Sequence, residues 1–73
     1  LVYSNDNLFY FFRKKENAYC DVFDLRKIAH LKRYKLKNKY KLISHLRENV
    51  FYGILLDEEG DPLLYKIEIS GFK

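Results

Sequence analysis

The last third of the chain constrains the fold most. Phe51–Leu56 (FYGILL) and Pro62–Ile69 (PLLYKIEI) are apolar runs separated by Asp57-Glu58-Glu59-Gly60-Asp61. Short apolar runs flanking a cluster of turn formers predict a β-hairpin. Gly60 supplies the turn, and Pro62 opens the return strand, where its missing N–H does least harm. Lys66 and Glu68 fall on the face opposite Tyr65, Ile67 and Ile69.

The stretch Arg26–Arg47 is the second feature. It contains Arg26, Lys27, Lys32, Arg33, Lys35, Lys37, Lys39, Lys41 and Arg47, no Asp or Glu, and two histidines, His30 and His45. The chain's net charge is +4, so everything outside this stretch sums to −5. A polarised chain of this kind suits a phosphate polyanion or an anionic membrane surface. The plainer reading is a lysine-rich face that serves only solvation.

From Leu25 the apolar residues follow a helical period. Leu25, Ile28, Ala29, Leu31 and Leu36 share one side, with Arg26, His30, Arg33 and Lys37 opposite. Asp24 stands as the N-cap and Asn38 as the residue just past the C-terminus. A second helix fits Lys39–Asn49, with Tyr40, Leu42, Ile43, Leu46 and Val50 on one face and Lys41, Ser44, His45 and Glu48 on the other. A competing pattern runs through the same residues. Tyr34, Leu36, Asn38, Tyr40 and Leu42 alternate with Lys35, Lys37, Lys39 and Lys41, the period of a strand with a lysine face. The richness in Ala, Leu, Lys and Arg and the few β-branched residues favour the helices.

Upstream, Ala18–Phe23 (AYCDVF) reads as a short strand. Leu8–Arg13 reads either as its hairpin partner across Lys14–Asn17, or as a helix capped by Ser4, Asn5 or Asp6. Aromatic richness tilts this toward the strand. Ser70–Lys73 reads as a tail, and no internal repeat, linker or low-complexity segment is expected. The chain starts at Leu1 rather than Met, as a piece excised from a longer protein would. At 73 residues, 48% of them apolar, one small folded domain is expected over 1–73. Cys20 is the only cysteine, which excludes an internal disulfide and a cysteine-based zinc site and fits a reducing, intracellular compartment. No apolar run approaches the roughly 18 residues of a transmembrane helix.

The expected order of strand, helix, turn, helix and hairpin resembles the winged helix-turn-helix DNA-binding domains. Asp24–Tyr34 corresponds to their supporting helix, Lys39–Asn49 to their recognition helix and Phe51–Ile69 to their wing. Ile28-Ala29 is similar to the Ile-Ala pair of the supporting helix. Leu42-Ile43-Ser44-His45-Leu46 resembles the Leu-Ile-x-x-Leu of SAP-type helix-loop-helix DNA binders. The resemblance implies an α+β fold: a central helix pair flanked by an N-terminal strand or hairpin and a C-terminal β-hairpin. The acidic tip Asp57–Asp61 departs from a phosphate-binding wing. If residues 7–13 are a strand, Leu8–Leu25 instead resembles the second and third strands of pleckstrin-homology-like domains.

The expected function is nucleic-acid binding, DNA before RNA because of the helix pair. Lys and Arg neutralise phosphates, which gives affinity and salt dependence. Arg26, Arg33, Lys35, Lys37, Lys39, Lys41 and Arg47 are the backbone-contact candidates; Lys41, Ser44 and His45 are the base-edge candidates. Tyr34 and Tyr40 are the stacking candidates among the aromatics. The alternatives are a protein-interaction module of a larger protein and an anionic-lipid binder of the pleckstrin-homology kind. His30 and His45 lack zinc spacing, the acidic turn lacks a calcium-loop pattern, and no nucleophile elbow or phosphate-cradling glycine loop occurs. Neither an enzyme nor a cofactor is expected.

Overall fold

Ser4-Asn5-Asp6-Asn7 makes a hairpin turn, not a helix cap. Asn5 and Asp6 take φ values of 51° and 63°, and Ser4 and Asn7 pair across them. Two central residues with positive φ give the twist that joins antiparallel strands tightly, and Asn and Asp tolerate it best after Gly. The computed structural model describes residues 1–72 and contains strands and turns without a helix among them. Lys73, the end of the expected tail, lies outside the described residues.

Seven strands follow in order: β1 (Val2–Ser4), β2 (Asn7–Lys14), β3 (Asn17–Asp24), β4 (Ala29–Lys35), β5 (Leu42–Arg47), β6 (Val50–Leu56) and β7 (Pro62–Glu68). β1 to β4 form one antiparallel meander and β5 to β7 a second. Strict side-chain alternation turns Phe9 and Phe11 of β2, with Cys20 and Val22 of β3, toward the second sheet. Phe51 and Ile67 come to meet them from β6 and β7, and Ile69 follows. The centre of the sandwich is aromatic. Phe51 packs edge-on against Phe9 at 5.1 Å and Phe11 at 4.8 Å, and Phe72 closes on Phe9 at 5.7 Å. Such tilted ring pairs add about 0.5–1.5 kcal/mol each beyond their buried area.

The helix pair is overturned, and with it the α+β class and the winged-helix and SAP-like resemblance. A helix over 25–38 would have buried Ile28 and Leu31, yet they are 84% and 38% exposed. Asp24 does make the bonds of an N-cap: its Oδ1 accepts the N–H groups of Arg26 at 2.9 Å and Lys27 at 3.2 Å. These bonds close a turn, and the chain returns as β4 against β3. The deciding fact is that β3 carries core residues on one face and a buried Asp21 on the other. Its backbone needs partners on both edges, and β4 fills the second. Ile28, half of the Ile-Ala pair, sits in the turn at φ 52°. The lysine alternation holds only for Tyr34-Lys35-Leu36, where the Leu36 N–H donates to the Ala18 carbonyl at 2.8 Å. Residues 37–41 then connect the sheets, and the expected second helix, Lys39–Asn49, is the end of that connection, strand β5 and the turn before β6.

The expected hairpins hold. β2 and β3 pair in full register from Asn7↔Asp24 to Lys14↔Asn17, and β6 and β7 from Val50↔Glu68 to Leu56↔Pro62. Two short segments of the sheets are alike. Asn7-Leu8-Phe9-Tyr10 opens β2, and Asn49-Val50-Phe51-Tyr52 leads into β6. Each segment follows a tight turn containing positive φ, at Asn5 and Asp6 in one case and Glu48 in the other. Each Asn donates its side-chain amide to a backbone carbonyl, Asn7 to that of Phe23 in β3 at 3.3 Å and Asn49 to that of Ile69, just past β7, at 2.6 Å. Each Phe is buried, at 1% and 0% exposure. The likeness stops there: the loops beyond it differ in length and the rest of the strands share no spelling.

Candidate nucleic-acid interface

The outward face of the first sheet is built by the residues that alternate with its core. Register sets them in three rows across the strands: Tyr3, Leu8, Phe23 and His30; Tyr10, Asp21 and Arg33; Phe12, Tyr19 and Lys35. Tyr10 and Phe12 stack at 5.2 Å between ring centroids with 15° between planes, and Phe12 and Tyr19 stack at 5.5 Å and 27°. The Arg33 guanidinium lies 5.0 Å from the Phe12 ring centre and 5.5 Å from that of Tyr19. A cation over a ring face is held by the ring quadrupole.

Asp21 fixes that guanidinium. Arg33 Nε and Nη2 donate to its two carboxylate oxygens at 2.8 and 3.0 Å, a fork-to-fork pair. His30 Nε2 stands 3.4 Å from Oδ2. The Asp21 side chain is only 8% exposed, against 45% for Arg33. The Arg33 hydrogen bonds hold its carboxyl below the ordinary range against the opposing effect of burial, and raise the Arg33 pKa in return. The one acid of this face is therefore neutralised in place, and the face presents rings and cations.

The sequence-predicted site residues separate into groups. Arg33 and Lys35 share the aromatic face, and Lys37, Lys39 and Lys41 follow in the connection beside its end. Lys39 pairs with Glu16 at 3.6 Å, and Arg13 Nη2 donates to the Tyr40 carbonyl at 3.2 Å, which ties the connection to the β2–β3 hairpin. Lys35 and Lys37 also line a groove with Tyr34, Leu36, Tyr40 and Lys66. Arg26 lies in the turn at the other end of β4, about 20 Å away at roughly 3.3 Å per strand residue, and pairs with Asp6 at 3.7 Å.

Ser44, His45 and Arg47 belong to the second sheet. Ser44 is half-buried opposite Tyr52. The His45 ring packs on Phe51 at 5.1 Å, and its Nε2 bonds the Glu48 carbonyl at 2.8 Å. Arg47 is exposed where β5 is bulged. These residues do not converge on one helix face. His30 and His45 lie in different sheets, and no cluster of metal-ligating groups occurs among the described residues.

Tyr34 and Tyr40 serve the core instead of a platform. The Tyr34 hydroxyl donates to the Ser70 carbonyl, and burial raises its pKa. Tyr40 packs against Tyr65 at 6.0 Å and over Gly53. The stacked rings of the outward face are Tyr10, 43% exposed, and the half-buried Phe12 and Tyr19, none of them among the stacking candidates named from the sequence. Alternation could have found them, since Tyr10 and Phe12 flank the inward Phe11 and Tyr19 flanks the inward Cys20. No helix of the described residues is long and apolar enough to cross a membrane. No known protein family, curated protein or solved structure matches this chain.

Proposed function

We propose that this domain binds single-stranded nucleic acid on the outward face of its four-stranded sheet. The observation that carries the reading is the stacked row Tyr10–Phe12–Tyr19 with the Arg33 guanidinium against it. A base unstacked from a duplex can extend this stack at its exposed end, Tyr10, a contact worth about 1–3 kcal/mol and tolerant of sequence. Lys35, Lys37, Lys39 and Lys41 continue from one end of the row and meet the phosphates. The preference for DNA over RNA rested on the helix pair and falls with it. An aromatic sheet face beside a run of lysines suits a single strand, whose bases are free to splay.

The test is fluorescence anisotropy of a labelled single-stranded oligonucleotide over a salt series, with a duplex of the same sequence beside it. Wild type should prefer the single strand, with log affinity falling linearly in log salt. Tyr10→Ala should weaken binding roughly tenfold through lost stacking. Changing Lys35 and Lys37 to Glu should flatten the salt slope. Absent binding at low salt, or full affinity in folded Tyr10→Ala, defeats the reading.

A second reading, a protein-interaction module, is favoured by the outward face of the second sheet. Leu42 and Leu64 flank Ile54 there at 57% and 70% exposure. Neighbouring apolar side chains left in water are characteristic of surfaces that meet another protein.

A further inference from the structure

Tyr3 is the most exposed ring of the first sheet, at 69%, and its side chain serves no part of the core. Its neighbour Val2 packs against the core, so alternation turns Tyr3 to the outward face, where it stands opposite Leu8. Tyr10, 43% exposed, lies two residues further along β2 on the same face. The two tyrosines are therefore diagonal neighbours across the β1–β2 pair, with the roots of their side chains about 7–8 Å apart.

The space between them is bounded by side chains of known placement. Phe12 covers one face of Tyr10, at 5.2 Å and 15°. The other face of Tyr10 looks back along β2 over Leu8, where the run of stacked rings ends in an aliphatic side chain. Beyond Leu8 stands Phe23, with the His30 ring edge-on against it at 5.1 Å. Leu8 is thus the floor of an open slot, Tyr10 one wall and Tyr3 the other. Stacked bases lie about 3.4 Å apart, so walls separated by about twice that distance admit one planar ring with both of its faces covered.

We infer, on the single-strand reading above, that Tyr3 and Tyr10 clamp one unpaired base between their faces, over Leu8. An occupant must have two flat apolar faces to fill the slot and an anionic chain to reach the lysines, and a nucleotide strand has both. The clamp lies two rows from Lys35, four residues along the strands, or about 13 Å at roughly 3.3 Å each. A strand a few nucleotides long therefore spans both. Leu8 and Phe23 offer no hydrogen bond, so the base is held by its faces, whatever its identity.

Fluorescence anisotropy of a short labelled single strand tests this, with circular dichroism to confirm that each variant folds. The comparison ligand is a strand of the same length whose sugar-phosphate units carry no bases. Tyr3→Ala should weaken binding of the normal strand about tenfold. Wild type and Tyr3→Ala should bind the abasic strand alike, since only the phosphate contacts remain there. The double variant Tyr3→Ala/Tyr10→Ala should lose little more than either single variant, because both rings hold the same base. Full affinity in Tyr3→Ala alongside weakened Tyr10→Ala would overturn the clamp and leave the single-strand reading standing. Losses that multiply in the double variant would give each ring its own base, and a loss in Tyr3→Ala on the abasic strand would assign Tyr3 to the backbone or the fold; either overturns the clamp. Absent binding by wild type at low salt would defeat the single-strand reading and the clamp with it.

Discussion

Asp21 is the residue whose replacement tests both the fold and the candidate site. Its carboxylate is nearly buried on the outward face and takes a bidentate bond from Arg33 at 2.8 and 3.0 Å. Asp21→Asn keeps the shape, removes the charge and turns an amide N–H₂ toward guanidinium donors. Hydrogen bonds to charged groups contribute about 1.5–3 kcal/mol each. Arg33 is 45% exposed and can be rehydrated, so we expect a loss near the low end, about 2 kcal/mol. At about 4–8 °C per kcal/mol for a domain of this size, the midpoint should fall by roughly 8–16 °C. The sign with pH follows from the lowered pKa of Asp21. Its contribution is fully present above the unfolded Asp value of about 3.9 and is lost as pH falls through the lower folded value. Urea unfolding of both proteins across a pH series measures this. Wild type should lose its advantage over Asp21→Asn on acidification. An Asn variant within about 0.5 kcal/mol of wild type at neutral pH, or a gap that does not narrow in acid, would refute the reasoning.

Ile28→Gly should raise stability by about 0.5–1 kcal/mol in urea unfolding, because a β-branched residue at φ 52° and 84% exposure is strained and buries little; a lower midpoint would show that the strain is not there. Gly53→Ala should cost about 1–3 kcal/mol, since a Cβ there meets the Tyr40 ring at 2.5 Å and Ile67 Cδ1 at 3.0 Å. Most of that cost should vanish in a Tyr40→Ala background, as a double-mutant cycle would report. Cys20 is fully buried, and burial together with Asp21 pushes its thiol pKa up to about 12. Labelling by a thiol reagent at mildly alkaline pH should therefore proceed only through opening of the sandwich and accelerate with urea, and fast labelling in water would contradict this.

Some features were legible in the residues alone. Gly60 and Pro62 marked the last hairpin, and aromatic-rich segments either side of Lys14–Asn17 marked the β2–β3 pair. Both are local signals: a turn of fixed chemistry between runs of period two. Asp24, expected as a helix N-cap, caps no helix, although its side chain does accept backbone N–H groups two and three residues on. That bond pattern is shared by helix caps and by turns, so it could not say which would follow.

Only the tertiary structure decided residues 25–49. Leu25, Ile28, Ala29 and Leu31 offer a helical face, and Tyr34, Lys35 and Leu36 offer a strand; a short stretch carries both periods at similar strength. Backbone demand settled it, because β3 needs a hydrogen-bonding neighbour on its open edge and β4 is within reach of a short turn. The same pairing brought Arg33 opposite Asp21 and gathered Tyr10, Phe12 and Tyr19 on one outward face. Lys35 and Lys37 could be read as cations from the sequence. That they continue from an aromatic row, while Arg26, His45 and Arg47 lie elsewhere, depends on register across strands far apart in the chain, which no local pattern encodes.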